Sequence, residues 1–342
     1  MATRTGPRLP APRPAWDTVA PGRRGQAALI AGGAVVAVPA LVLTLMRVFP
    51  PVGDAAALVA SFIPYAVPLL GLALVCLLVG LIRARRRQLL GGLVGVVAAL
   101  LAAQLAWQLP YFVPDGVPVA SPTFALLSLN TFKGEADPDQ VLAAAARADV
   151  VVLVETTPAL VQALDQRGWR ERFPFDAGAS GGTLSNTAVF SRWPLSDSAR
   201  VTGGSFDQWL TTVDVPVVGP LRLLAVHPCN PYCGQDLWSA EHRDLLRVSE
   251  QNRALPLVVA GDFNAVPDHG PMQDLRRTGL RSAADLVGTG WGPTYPANRL
   301  LPPLLAIDHV LLDPQLGATA LERVPVAGTD HLGLLARVGR AG

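Results

Sequence analysis

Four carboxylates (Glu155, Asp262, Asp308, Asp330), two histidines (His227, His331) and two amides (Asn130, Asn264) share one trait: each stands at an end of a short apolar run, or breaks one. Asn130 follows the run 123–129, and Glu155 follows Val150–Val154. His227 follows Leu221–Val226, while Asp262 and Asn264 come just after Leu257–Ala260. Asp308 interrupts Ala306–Leu312, and Asp330-His331 introduces Leu332–Val338. Carboxylates are hard oxygen ligands suited to Mg²⁺, or to Mn²⁺ or Ca²⁺. His and Cys are too few for a typical zinc site. A hard cation beside His and Asn suits a phosphoester: the metal polarises a phosphoryl oxygen, one residue activates water and another protonates the leaving oxygen. Gly261 allows close backbone approach just before Asp262.

Each residue also has a plainer reading. Glu155 could be a surface acid, although it directly follows a wholly apolar strand; His227 alone could be structural, and Asn130 and Asn264 turn residues. Asn186 is expected at the site edge, with an ordinary turn asparagine as the rival. His309 alternates with Asp308 and should face away from the site. His242 and His269 have no motif context and are expected on the surface. Tyr232 and Trp238 either line the pocket or cover the core.

The elements that must position these residues alternate between strand and helix. Strands are expected at 123–129, 150–154, 187–190, 209–215, 221–226, 257–260, 307–312 and 332–338. Asp137 is a plausible N-cap, with Pro138 at the first helical position of a helix running to Ala148. Further helices are expected over 158–166 and 236–251. Parallel crossovers followed by hairpins give mixed sheets with helices outside, an α/β (α+β) class. Polar residues converging on sheet edges are how such folds build sites.

Ahead of this domain the composition changes. Three uncharged stretches, Gly25–Met46, Ala55–Ile82 and Leu89–Leu109, are each long enough to cross a bilayer. Three transmembrane helices are expected, with Pro64 and Pro68 bending the second or marking its entry. A signal peptide is the rival for the first, but its basic leader is long and two more apolar stretches follow. Residues 1–24 read as a disordered basic tail, 25–114 as a membrane anchor and 115–342 as the catalytic domain. Arg4, Arg8, Arg13, Arg23 and Arg24 precede the first span, and Arg83, Arg85, Arg86 and Arg87 separate the second from the third. The positive-inside rule then puts both segments in the cytoplasm and residues 115–342 outside it, on the cell membrane. Trp107, Tyr111 and Phe112 fit an interfacial aromatic belt. No Asp, Glu, Lys, Arg or His lies inside a span, so the spans are read as an anchor, with the bilayer as their partner.

Charge divides along the same line. Residues 1–114 hold ten Arg and two Asp, net +8; residues 115–342 hold 18 Lys+Arg and 24 Asp+Glu, net −6. The acidic balance leans away from long polyanions, which are usually gripped by a basic face. Cys229 and Cys233, four apart in a turn-rich loop, could pair as a disulfide outside the cytoplasm. Two free thiols or half a metal site are the alternatives, and no further Cys follows Cys76 and this pair to complete a thiolate site.

Taken together, Ser128-Leu129-Asn130, Val154-Glu155, Asn186-Thr187-Ala188-Val189, Val226-His227, Gly261-Asp262-Phe263-Asn264, Ile307-Asp308-His309-Val310 and Thr329-Asp330-His331 resemble the endonuclease/exonuclease/phosphatase superfamily. They stand in that superfamily's order over residues 123–338. The resemblance implies a four-layer sandwich of two mixed β-sheets flanked by helices. It implies Glu155 as chief metal ligand, with Asn130 and Asp330 contributing to the metal shell. Asp262 would orient or deprotonate water, and Asn264 would hold the phosphate. His331, oriented by Asp308, would contact phosphoryl oxygens, and His227 would be general acid or a second phosphate donor. Leu129 stands where many members have Trp. The implied activity is metal-assisted hydrolysis of a phosphodiester, in nucleic acid or a phospholipid headgroup. A phosphomonoesterase or an inactive membrane-anchored binding domain are the alternatives. Nothing in the sequence points to a protein partner.

Overall fold

The computed structural model describes residues 22–51, 53–82, 87–179 and 186–342. Most of the expected tail, and Arg83, Arg85 and Arg86, lie outside the described residues. Four helices come first: α1 (Gly22–Val48), α2 (Asp54–Ala60), α3 (Ala66–Ile82) and α4 (Arg87–Gln108). Gly25–Val48, Ile63–Ile82 and Gln88–Tyr111 are long and apolar enough to cross a membrane. A Cβ at Gly80 would meet Ile30 Cγ1 at 2.7 Å, so the glycine lets α3 lie against α1.

The second uncharged stretch is not one helix. Pro64 sits in a 3₁₀ turn, Ile63–Tyr65, between α2 and α3. Proline lacks an N–H and fixes φ, so it opens a helix more readily than it continues one. This separates α2 from α3 and lets it pack on the following domain. There Ala57 is buried in one cluster with Trp238, Phe263 and Met272.

Among the described residues that domain holds twelve strands: β1 (Phe124–Asn130), β2 (Val150–Thr156), β3 (Phe175–Ala177), β4 (Asn186–Ser191), β5 (Leu195–Arg200), β6 (Trp209–Val215), β7 (Gly219–Val226), β8 (Leu257–Asp262), β9 (Arg281–Ser282), β10 (Asp308–Leu312), β11 (Leu316–Val324) and β12 (Gly333–Arg340). Its helices are α5 (Pro138–Ala145), α6 (Pro158–Asp165), α7 (Trp169–Arg172), α8 (Leu237–Gln251), α9 (Gly270–Arg277) and α10 (Ala283–Val287). One sheet runs β11-β12-β1-β2-β4-β3, the other β5-β6-β7-β8-β10-β9. Each has one parallel pair: β1–β2, with α5 in the crossover, and β7–β8, with α8.

Period-two alternation sorts the strand residues. On β2, Val150, Val152 and Val154 join Leu126, Leu223 and Val258 between the sheets. Val151 and Leu153 face outward onto a cluster with Val141, Leu160 and Trp169. Burial on both faces explains why these strands read as unbroken apolar runs. Asp137 caps α5, accepting from Gln140 N at 2.9 Å, with Pro138 at the first position. The layers are helices, sheet, sheet, helices, as expected. The strands β3, β5, β9 and β11 were not foreseen.

Candidate active site

The two parallel pairs end side by side. Asn130, His227 and Asp262 sit at or just beyond the carboxyl ends of β1, β7 and β8, and Glu155 lies one residue before the end of β2. Two local devices aim these side chains. Between Leu153 and Thr156 the β2–β4 register shifts, and Glu155 occupies the irregularity with φ 52°. Such a bulge re-aims a side chain, here at the cost of a left-handed backbone. At Gly261 a Cβ would stand 2.0 Å from Val226 O, so only glycine lets β7 and β8 approach closely enough beneath His227 and Asp262. Asp308 enters from β10, directly opposite Asp262 in the antiparallel register. His331 precedes β12.

Asp262 is the hub. Asn130 Nδ2 donates to Asp262 Oδ2 at 3.0 Å and to Glu155 Oε1 at 3.3 Å. Asn264 N donates to Asp262 Oδ1 at 2.8 Å. His227 Nε2 and His331 Nε2 lie 3.8 and 3.7 Å from Asp262 Oδ2. His331 Nδ1 bonds Asp308 Oδ2 at 2.8 Å, which turns Nε2 toward Asp262 and to within 3.8 Å of Asp330 Oδ1. Thr329 ties the floor together: its Oγ1 donates to Asn130 O (2.7 Å) and accepts from His331 N (3.1 Å). Glu155 Oε2 accepts from Lys133 N at 3.0 Å, and Glu155 Oε1 lies 3.7 Å from His227 Nε2.

The electrostatics follow from gathering four acids, of which Asp262 and Asp308 are buried and Glu155 and Asp330 partly so, around two buried histidines. Burial raises Asp262 to about 7; Asp308 adds to this, while His331, Asn264 N–H and the Asn130 amide oppose it. Burial disfavours a charged His331, but Asp308, Asp262 and Asp330 outweigh it and lift the imidazole to about 10. Burial, then the charge on His331, lowers His227 to about 3. His227 is therefore neutral near pH 7. Of its two expected roles, an N–H donor to phosphate suits this environment better than a carrier of an extra proton. Asp330 is raised by burial.

Among the described residues, Asp262, Asp308 and His331 form a cluster whose ligand atoms all lie within 4.8 Å of one another. Asp330 Oδ1 is buried with no hydrogen-bond partner. The carboxylates of Asp262 and Asp308, with the unsatisfied buried oxygen of Asp330 nearby, supply oxygen ligands of the kind a hard divalent cation takes, and His331 adds a nitrogen to the same cluster.

Other expected residues fall less centrally. Asn264 Nδ2 is held by Pro228 O at 3.0 Å, on the wall beside His227. Asn186 is turned to Gly178 O at 2.6 Å, and its Oδ1 is buried without a partner. His309 faces away, donating from Nε2 to Ala265 O, as alternation predicts. His242 and His269 are not on the surface: both are buried, because α8 and the loop after Asn264 pack beneath the site. Trp238 is core, its Nε1 donating to Asn264 O at 2.8 Å, whereas Tyr232 is exposed. Cys229 and Cys233 are joined with Cα atoms 6.2 Å apart.

Two neighbours, Phe206 and Glu241, had no signal in the sequence. Phe206 stacks on His227 with ring centroids 4.4 Å apart. Glu241 accepts from Cys229 N (2.8 Å) and Ser205 N (2.8 Å), tying together the loops on either side of His227. Tyr295 lies 4.9 Å from the His331 ring. Tyr295 does carry a signal: Thr294-Tyr295-Pro296, ahead of Ile307-Asp308, adds to the family likeness of the sequence.

The model of the Endonuclease/Exonuclease/phosphatase family matches residues 127–331, more than half the chain. Among solved structures, an endonuclease/exonuclease/phosphatase from Beutenbergia cavernae is similar at 19% identity and TM-score 0.50, over 65% of this chain and 72% of that one. The human Nocturnin catalytic domain with bound sulfate is similar at 16% identity and TM-score 0.51, over 68% and 99%. D. rerio TDP2 complexed with single strand DNA product is similar at 16% and 0.50, over 64% and 100%. No curated protein sequence matches significantly. Fold, strand-end constellation and family match agree, and the chain belongs to the endonuclease/exonuclease/phosphatase family, whose members are metal-dependent phosphoester hydrolases.

Proposed function

We propose that this chain is a membrane-anchored, divalent-metal-dependent phosphodiesterase whose catalytic domain faces away from the cytoplasm. The observation that carries the reading is the Asp262 hub, with the Asp308–His331 pair beside it and the unsatisfied Asp330 Oδ1 3.8 Å from His331 Nε2. Glu155 and Asp330, with Asn130, would hold Mg²⁺ or a similar hard ion, which when bound neutralises charge on the phosphoryl oxygens. Asp262, raised toward neutrality by burial, takes a proton from the attacking water. His331, kept charged by Asp308, stabilises the developing negative charge from Nε2. His227 Nε2 lies between Glu155 and Asp262 and offers a donor to the phosphate or the leaving oxygen. Asn264 lies beside it as a second phosphate contact.

The test is hydrolysis of bis(p-nitrophenyl) phosphate by the full chain in detergent, with Mg²⁺ or with chelator. Glu155→Gln keeps the shape but removes a ligand charge. It is expected to lower turnover by about 10² or more and to abolish the Mg²⁺-induced rise in melting temperature. Normal turnover and normal Mg²⁺ stabilisation in this variant would overturn the assignment.

A further inference from the structure

The loop 296–304 joins the mouth of the active site to the end of a membrane span. Its two ends are clamped: Tyr295 N donates to Leu305 O at 2.9 Å, and Leu304 N and Leu305 N each donate to Tyr295 O at 2.8 Å. At one root, Tyr295 lies against His331, and Ala297 N donates to Asp330 O at 2.6 Å. At the other, Leu304 O accepts from Tyr65 Oη at 2.8 Å, at the entry to the second span. The excursion between is Asn298-Arg299-Leu300-Leu301-Pro302-Pro303. Leu300 is 106% exposed, Leu301 69% and Leu304 39%. Leucines left in water beside a catalytic mouth mark an interaction surface.

What they meet is indicated by their surroundings. The domain's Trp291 packs with Tyr65 (6.1 Å) and Phe112 (5.9 Å), and Phe62 packs on Tyr65 (5.9 Å). Phe62, Tyr65 and Phe112 belong to the ends of the spans, where an aromatic belt sits at headgroup level. Trp291 therefore brings the domain down to that level, and the loop leaves from the same place.

We propose that Leu300, Leu301 and Leu304 dip into the bilayer leaflet at this end of the spans, and that the phosphoester presented to the site belongs to a lipid headgroup in that leaflet. The inference rests on the phosphodiesterase reading above and names its substrate class. Nucleic acid is the less favoured substrate, because the domain carries net −6 and the loop has one cation, Arg299.

The experiment uses the full chain reconstituted in vesicles of phosphatidylglycerol, phosphatidylethanolamine and phosphatidylcholine. Three activities are compared: phosphate-bearing headgroup released from the vesicles, bis(p-nitrophenyl) phosphate hydrolysis, and cleavage of a single-stranded oligodeoxynucleotide. The double variant Leu300→Asp, Leu301→Asp should release lipid headgroup at least tenfold more slowly, while its rate on the small diester stays within twofold. Equal effects on both substrates, or cleavage of the oligonucleotide with lipid untouched, would overturn the lipid assignment. Loss of small-diester hydrolysis in the unmodified chain would instead remove the phosphodiesterase reading and the substrate assignment with it. Insertion is read separately. In a Cys76→Ser background, Leu300→Cys carrying an environment-sensitive dye should be quenched by nitroxide lipids. The same dye at Glu171→Cys, on the helical layer across both sheets from the anchor, should not be. No quenching at 300 overturns the docking surface whatever the activity.

Discussion

The charge state of His331 is set chiefly by one neighbour. Asp308 binds its Nδ1 at 2.8 Å and is the strongest of the acids holding the imidazole charged. Asp308→Asn leaves an oxygen to accept from Nδ1–H but takes away the counter-charge. The sign follows: a histidine held protonated up to about pH 10 stays charged over a shorter range once that acid is gone. The alkaline limb of the pH–rate profile should move to lower pH, with kcat/KM down by about 10². NMR titration of the ring should shift with it, and an unchanged alkaline limb would remove His331 from the rate-limiting chemistry. Glu241 acts at one remove. Glu241→Gln replaces one accepting oxygen by an amide that cannot serve both Cys229 N and the Ser205 N–H and hydroxyl. As a positioning residue it should cost several-fold in kcat and some degrees in melting temperature, while leaving Mg²⁺-induced stabilisation intact.

At the scale of elements, α2 is clipped to the domain by a histidine of fixed tautomer. His269 Nδ1 accepts from Val266 N (3.0 Å), so its Nε2–H donates to Ala57 O (2.8 Å). Burial lowers its pKa to about 4. The unfolded chain therefore binds the extra proton first. The stability contributed by neutral His269 is complete above about pH 6.5 and is lost as pH falls from there through 4, on the order of 3 kcal/mol. The melting temperature should fall over that window, and His269→Gln, which can still accept and donate, should make the fall shallower. The Cys229–Cys233 loop gives a second check at this scale. Protein alkylated without reduction should carry no label on either cysteine, and Cys229→Ser with Cys233→Ser should lower stability and slow turnover modestly. The central strands were legible because β1, β2, β7 and β8 are buried on both faces and end in polar residues. β5 and β11 were not, because edge strands such as Leu195–Arg200 are largely exposed and carry no apolar period. The same logic divides the site. Residues at strand ends announced themselves, whereas Phe206 and Glu241 reach it from a loop and a helix through tertiary contacts that leave no local pattern.

At the scale of the whole molecule, sidedness and seating are separate questions. A reporter active only outside the cytoplasm should work when fused after Gly342 and fail when placed in the Arg83–Arg87 segment. Seating depends on Asp268, whose side chain is fully buried where the apolar helices meet the domain. Arg47 Nε lies 2.8 Å from Asp268 Oδ1, and Gln108 Nε2 and Tyr111 Oη approach its carboxylate at 3.4 Å. Tyr111, expected in the aromatic belt, is buried here instead, because the domain needs its hydroxyl at this junction. The contacts come from the C-terminal ends of α1 and α4 and the turn after α4, so one carboxylate fixes how the domain sits on the bundle. Burial alone raises the Asp268 pKa, and Arg47, Gln108 and Tyr111 oppose it; the acid is tolerated because of these three residues of the helical bundle. Asp268→Asn would leave Arg47 about four-fifths buried without a counter-charge, a loss of roughly 2–3 kcal/mol after allowing for its partial exposure. The full chain in detergent should therefore melt several degrees lower. Arg47→Met with Asp268→Leu removes both charges and keeps bulk, so it should recover most of that loss. If the single variant melts like the unmodified chain, the seat is not electrostatic. If the double variant is no better than the single, the cost comes from packing around Asp268, and the ion pair adds nothing to it.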